Sequence, residues 1–533
     1  MTPSLLEHII ILPILLPLVA AAFMLLLKEQ RYKTKAALSL AVCAALLTTA
    51  LLLLQEASVG GSGGGDTARV YSLGNWAAPF GIVLVADRLS TLMVALIAVV
   101  GAAGLIFALA RWDRAGPRFH ALYLLLMMGV SGAVLTGDLF NLFVFFEVML
   151  AASYGLLLHG SGEARVKAGL GYVAINLTAS LFFLIGVALI YGTVGALNMA
   201  DLSARIPFIP ASDRPLFEAG CAILGVAFLI KAAAWPLGLW LPGAYSAASA
   251  PVAAVFTLLS KVGVYVLLRL SMLMFHPESG DSAGFGQTLL TVIGLATVLF
   301  GAAGVIAAQR LERVVGYAVM ASSGTVIALV GMGHADIIGG ALFYMVASTL
   351  ATGALFLIAE ILSRGDDRAF AAHDAFFDDE YTDPFEADEV EEIGRVMPRS
   401  LALLGAFFAL AALVVASMPP LAGFIGKLAI FVGLLDAEGV SQPLSWWVIG
   451  ILTFSSFATL IALVRIGIEG FWKRDEDNAL AVRSPEFVAI GGLIGCCLWL
   501  TVAGGAALDY TSHTGDWLTR PTDYVAAVLK GRM

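Results

Sequence analysis

"GVAFLIKAAAWPLGLW", residues 225–240, sets Lys231 inside an apolar run and places Pro236 five residues after it. The run belongs to a stretch, 216–240, that is long enough to cross a bilayer, for which ~20 mostly apolar residues suffice. A charged side chain near the middle of such a helix costs ~2.5–3.5 kcal/mol on insertion scales. A proline there frees backbone carbonyls, which are tolerated where they line a wet cavity or an ion path. A lysine beside a helix break is thus expected to be functional, and it points to an all-α polytopic membrane protein organised around buried charge.

Composition supports this class throughout. Of the 533 residues, 60% are hydrophobic and 13% charged, and the mean hydropathy is +0.92; a soluble globule is nearer ~45–50% apolar. Runs of membrane length, separated by polar or Gly/Pro-rich punctuation, predict fourteen transmembrane helices. Residues 4–27 read as the first of these, since they are too long for a signal-peptide core and lack a basic leader. Cytoplasmic loops carry the excess of Lys and Arg. With the N-terminus outside, the inward loops hold nineteen of these residues and the outward segments seven. The four cysteines show no metal, haem or iron–sulfur spacing, so no metal, no cofactor and no catalytic residue of an enzyme is expected.

The chain divides into an N-terminal three-helix segment (1–110), two halves (111–275 and 276–480) that each carry a lysine beside a helix break, and a final helix with an outward tail (481–533). Residues 56–72 form a Gly/Ser-rich outward linker. Residues 364–399 form an acidic inner insertion with interleaved aromatics, either a solvated segment or a docking site for a neighbouring subunit. The tail from Asp509 is polar, then mildly amphipathic, and suits the outer surface or another chain.

Four titratable side chains on four expected spans share one depth. Glu147 lies in 139–159, Lys231 in 216–240, Lys261 in 250–274 and Lys427 in 401–435. Each lysine sits seven or more residues from a helix end, too deep to reach water by snorkelling. A static Glu147–Lys231 pair that locks helices together is one reading. The other, favoured here, is a proton or ion relay built on coupled titration, in which a carboxylate stabilises a buried ammonium and its departure releases the proton. Helix breaks support the relay: Pro236 follows Lys231, and Pro419 with Pro420 precedes Lys427. Ser260, Tyr265, Ser322, Ser323, Ser348 and Thr352 are further relay candidates, although small hydroxyls also serve helix packing.

At "GDLFNLFVFFEVMLAASYGLL", "LIKAAAWPLGLWLPGAYSAASAPVAAVFTLLSKVGVYVLLR" and "MPPLAGFIGK", the sequence resembles the antiporter-like membrane subunits shared by respiratory complex I and the Mrp-type (also Mnh or Pha) multisubunit cation/proton antiporters, most of all the antiporters' D-type subunits. The resemblance implies two inverted five-helix repeats with broken seventh and twelfth helices. It implies that Glu147 and Lys231 are the family's glutamate and lysine partners, and that Lys261 and Lys427 continue the hydrophilic axis. It further implies a bacterial plasma-membrane subunit, partnered by other antiporter subunits, that exchanges outward Na⁺ or K⁺ for inward H⁺. The alternative within the same resemblance is a proton-pumping arm subunit of an NADH:quinone oxidoreductase or a membrane-bound hydrogenase. One departure stands out. Many relatives carry a histidine or lysine in the eleventh span, where this chain has Ala347 and no ionisable group before Glu360. An unbroken axis then needs hydroxyls or water.

Overall fold

The computed structural model describes residues 8–60, 68–160, 162–376, 398–437, 440–472 and 482–530. The middle of the Gly/Ser-rich linker and most of the acidic insertion lie outside the described residues.

Backbone without water must bond to itself, so long apolar runs become helices. Helices α1 (Leu12–Leu26) and α2 (Tyr32–Gly60) lead into a hairpin of β1 (Arg69–Ser72) and β2 (Val83–Ala86), and α3 (Arg88–Ala108) follows. Then come α4 (Phe119–Leu135), α5 (Leu139–Leu157), α6 (Glu163–Val194), the short α7 (Met199–Arg205), α8 (Arg214–Lys231), α9 (Trp240–Ala247) and α10 (Ala250–Met274). The remainder comprises α11 (Gln287–Ala307), α12 (Leu311–Val330), α13 (Ala335–Phe376), α14 (Arg399–Val415), α15 (Ala422–Asp436), α16 (Gln442–Gly467), α17 (Ser484–Val502), α18 (Gly504–Leu518) and α19 (Pro521–Leu529). Among the described residues, eleven helices are long and apolar enough to cross a membrane, and Phe119–Leu135 and Arg399–Val415 are shorter apolar helices. The protein is a helical polytopic membrane protein.

One short hairpin punctuates the helices: β1 and β2 pair antiparallel, with Arg69 opposite Ala86 and Ser72 opposite Val83. The apolar run that leads into α3 begins as strand β2. Its helix starts only at Arg88, where the Asp87 carboxylate accepts from Ser90 N–H and the Ser90 hydroxyl accepts from Asp87 N–H, a capping box. The tail is helical. It folds as α18 and α19 against the chain's own helices, because Trp517, Leu518, Tyr524 and Val528 give these helices a buried apolar side.

Burial defines a centre and a rim. Every residue of α10 is buried, and the membrane-length part of α13 is nearly so. The outer helices present large apolar side chains outward, such as Leu181, Trp447 and Val502, a surface suited to lipid. Close helix contact rests on small residues: a Cβ at Gly294 on α11 would lie 2.3 Å from the Ala328 amide nitrogen on α12. Helix ends gather on two faces. Asp87, Arg269 and Trp517 meet on one, and Trp112, Glu360, Arg364 and Glu486 on the other.

Candidate functional site

The Asp138 carboxylate caps α5 by accepting from Asn141 N–H at 2.9 Å, and the helix then carries Glu147 inward. Glu147 is half-buried and accepts a hydrogen bond from Ser180 Oγ on α6 at 2.5 Å. Lys231 ends α8, is 4% exposed, and its Nζ has no hydrogen-bond partner among the described residues. That Nζ lies over the face of the Phe146 ring, 4.9 Å from its centre. The sequence paired Glu147 with Lys231; in this conformation no ion pair joins them, and Glu147 is held by Ser180. The reason is helix geometry. Neighbouring residues on a helix diverge by about 100°, so Phe146 points to Lys231 while Glu147 points to α6. Phe146, Phe183 and Phe228 pack together at this junction.

The chain breaks straight after Lys231. Ala233 takes a left-handed conformation (φ +57°), Pro236 follows, and the helix resumes only at Trp240. The second break has the same backbone. Ser417 is left-handed (φ +56°), Pro419 and Pro420 follow, and α15 resumes at Ala422. Hydrogen bonds repeat as well: Ala232, Ala233 and Ala234 N–H donate to the carbonyls of Phe228, Ile230 and Leu229, and Ala416, Ser417 and Met418 N–H donate to those of Ala412, Val414 and Leu413. A threonine hydroxyl from another helix satisfies one amide freed at each break. Trp235 N–H donates to Thr297 Oγ1, and Ala422 N–H to Thr501 Oγ1, both at 2.9 Å. The lysines are placed differently: Lys231 precedes its break, and Lys427 follows its own.

Lys261 lies midway along α10, 1% exposed. Its Nζ donates to Ser322 Oγ at 2.9 Å and to Ser323 Oγ at 3.1 Å, both on α12. Ser322 in turn hydrogen-bonds the Ser348 hydroxyl on α13 at 2.7 Å. Lys427 Nζ donates to Ser456 Oγ at 2.5 Å and, more weakly, to the Leu452 carbonyl at 3.4 Å, both on α16. It also sits 5.4 Å from the centre of the Tyr344 ring. The other relay candidates are tied to backbone: Ser260 donates to Thr257 O, Thr352 to Ser348 O, and Tyr265 to Val134 O.

Sequence reading missed Ser180, Ser456 and Tyr344, whose only signal was a polar atom inside an apolar run. It also missed a fully buried ion pair on the first face. Arg269 donates to both Asp87 oxygens, at 2.5 and 2.8 Å, and Trp517 Nε1 approaches the same carboxylate at 3.4 Å. On the opposite face Glu360 accepts from Trp112 Nε1 and pairs with Arg364, which also binds Glu486 at 2.7 Å. A cavity of about 250 Å³ opens there, lined by Arg165, Tyr245, Ser249, Arg310, Glu360 and Arg364. At the rim nearby, burial raises the Asp113 carboxyl above its usual range despite Arg114. Burial lowers His159 below its usual range, and its Nε2–H donates to Trp112 O at 2.9 Å.

Residues 136–459, which span all four midplane charges, match the family model described as NADH:quinone oxidoreductase/Mrp antiporter, transmembrane. Over 529 residues, 98% of each chain, the sequence is 48% identical to a protein from Rhizobium meliloti (strain 1021) named as the D-type subunit of a probable K(+)/H(+) antiporter. It is 32% identical over 531 residues to the D-type subunit of the Na(+)/H(+) antiporter of Alkalihalophilus pseudofirmus, covering 98% of this chain and 100% of that one. Among solved structures, a chain of the Mrp complex from Dietzia sp. DQ12-45-1b superposes with a TM-score of 0.80 at 25% identity, covering 99% of this chain and all of that one.

Proposed function

Because the chain belongs to the antiporter-like membrane-subunit family of Mrp antiporters and NADH:quinone oxidoreductases, among the D-type subunits of the Mrp antiporters, we propose that it is the proton-translocating subunit of a multisubunit K⁺(Na⁺)/H⁺ antiporter. It sits in the bacterial plasma membrane with its N-terminus outside and its Lys- and Arg-rich loops in the cytoplasm. Ten of its fourteen crossings form two inverted five-helix repeats, 111–275 and 276–480, a reading supported by the matching hydrogen-bond pattern at the two breaks. Other antiporter subunits complete the exchange of outward cation for inward proton.

The observation that carries the reading is the state of Lys231. An amine buried among aromatic rings and without a hydrogen-bond partner is costly as an ammonium, and the carboxylate near it is held by Ser180 instead. Turning Glu147 from Ser180 to Lys231 would favour the ammonium, and turning it back would expel the proton. Hydroxyls suit the next station. Ser322 and Ser323 can accept from an ammonium or donate to a free amine, so Lys261 keeps partners in either protonation state.

Glu147→Gln and Lys231→Ala are each expected to abolish ΔpH-driven K⁺ or Na⁺ flux in everted vesicles while the complex still assembles. Native flux in both variants would rule the mechanism out. Co-purification separates the redox-complex alternative: antiporter subunits support the proposal, whereas flavin and iron–sulfur subunits support the other.

A further inference from the structure

The Lys261 and Lys427 stations lie on different helices, and α13 runs between them. From Asp336 to Glu360 that helix has no carboxylate, amine or imidazole side chain. Tyr344 stands on that helix beside Lys427 and one turn before Ser348. It is 5% exposed. The face of its ring meets Lys427 Nζ at 5.4 Å, and the Ser348 hydroxyl one turn along the helix hydrogen-bonds Ser322 on α12 at 2.7 Å. Ser322 is already the partner of Lys261. Helices α13 and α15 meet closely here: a Cβ at Gly426 on α15 would come within 2.9 Å of the Tyr344 backbone. Helix α15 thus delivers Lys427 directly onto α13 at this residue.

We propose that Tyr344 is the proton carrier between Lys261 and Lys427. The inference rests on the relay reading above and deepens it by assigning the step for which the sequence shows no acid or base. A phenol can donate and accept at once, so it passes a proton on while staying neutral. The Lys261 ammonium gives a proton to Ser322 Oγ as the proton of Ser322 passes to Ser348 Oγ and that of Ser348 crosses one water to the Tyr344 oxygen. The proton that Tyr344 held crosses one bridging water to the free amine of Lys427. Each O–H bond broken is replaced by one formed. The net change is one proton: Lys261 ends as the amine and Lys427 as the ammonium. The ring adds something that a serine would not, since the face of an aromatic ring attracts the arriving cation.

Tyr344→Phe keeps the ring and its packing and removes only the hydroxyl. Cation-dependent proton flux through the purified, reconstituted complex is expected to fall at least tenfold with subunit composition unchanged. Tyr344→His, which restores a group able to donate and accept, is expected to recover flux to within threefold of native. Native flux in Tyr344→Phe overturns the inference. So does a slowed Tyr344→Phe that Tyr344→His fails to restore, which would assign the residue to packing. Lys261→Ala and Lys427→Ala are measured alongside. If they abolish flux while Tyr344→Phe is normal, the inference fails and the relay stands; if they too run at the native rate, the relay itself fails.

Discussion

Replacing Asp87 by asparagine removes one charge and little else. The Asp87 side chain accepts the Ser90 amide at 2.8 Å as the cap of α3, and asparagine caps helices about as well as aspartate. The cap survives, but the Arg269 guanidinium, with its side chain 6% exposed, loses the anion it is paired with. Breaking one side of a buried ion pair costs ~3–5 kcal/mol. Arg269 keeps the Tyr265 hydroxyl at 3.3 Å and the rings of Tyr265 and Tyr524 at 5.5 and 5.2 Å. Cation–π contacts of this kind retain ~0.5–1 kcal/mol each, which puts the expected loss near ~3 kcal/mol. Denaturant titration of the purified protein in detergent, on Asp87→Asn, Arg269→Met and the double variant, measures it. Both singles are expected to lose ~3 kcal/mol or more, and the double less than the sum, because it leaves no unpaired charge. If Asp87→Asn stays within ~1 kcal/mol of native, or the double loses the full sum, the pair does not hold α3, α10 and α18 together as argued.

Two further outcomes are expected. Ser180→Ala removes the donor that holds Glu147, and a hydrogen bond to a charged group is worth ~1.5–3 kcal/mol. The preference of the carboxylate for α6 then weakens by about 10- to 150-fold. Vesicle flux should fall at least tenfold in an assembled complex, and unchanged flux would reduce the bond to packing. His159 concerns pH. Burial, aided by Arg165 and opposed by the Trp112 carbonyl and Asp113, lowers its proton affinity in the fold. The folded state thus binds fewer protons than the unfolded chain, so the His159 contribution is complete above the unfolded value of ~6.5 and fades as pH falls below it. His159→Gln, which retains a donor for Trp112 O, should flatten the loss of thermal stability between about pH 7.5 and 5.5; an unchanged slope counts against it.

What was legible in the sequence is what one dimension preserves. A lysine in an apolar run announces itself wherever it points, so Lys231, Lys261 and Lys427 stand out from the residue order alone. Pro236, Pro419 and Pro420 marked the breaks because proline removes a donor and clashes with the preceding turn. Direction around a helix was not legible for α5, which is apolar on nearly every side. Nothing in "FFEV" says that Phe146, not Glu147, faces Lys231. Long-range pairing was lost for a different reason. Asp87 and Arg269 sit 182 residues apart at the ends of two apolar helices, where each reads singly as an interfacial charge. Tyr344 escaped because a buried tyrosine is an ordinary core residue until its two neighbours are known.

The two breaks share a backbone yet leave their lysines in unlike circumstances. Phe228, Leu229 and Ile230 end α8 with carbonyls that could in principle receive the Lys231 ammonium. All three are taken, by Ala232, Ala234 and Ala233 N–H, and Ile230 O also accepts Trp240 Nε1–H at 3.1 Å. The break that brings Lys231 to the centre thus consumes its own acceptors, and Lys231 is left to rely on a carboxylate from another helix. The carbonyls of Ala412, Leu413 and Val414 are consumed in the same way at the second break. Lys427, being on the far side of that break, draws on Ser456 and Leu452 of α16 instead. A hydroxyl fixed on a neighbouring helix serves the amine in both protonation states, whereas a carboxylate serves the ammonium far better than the amine. On the relay proposed above, Lys231 is therefore the lysine whose proton depends on where a partner side chain points, and Lys427 is the one that holds or passes a proton without any rearrangement of its surroundings.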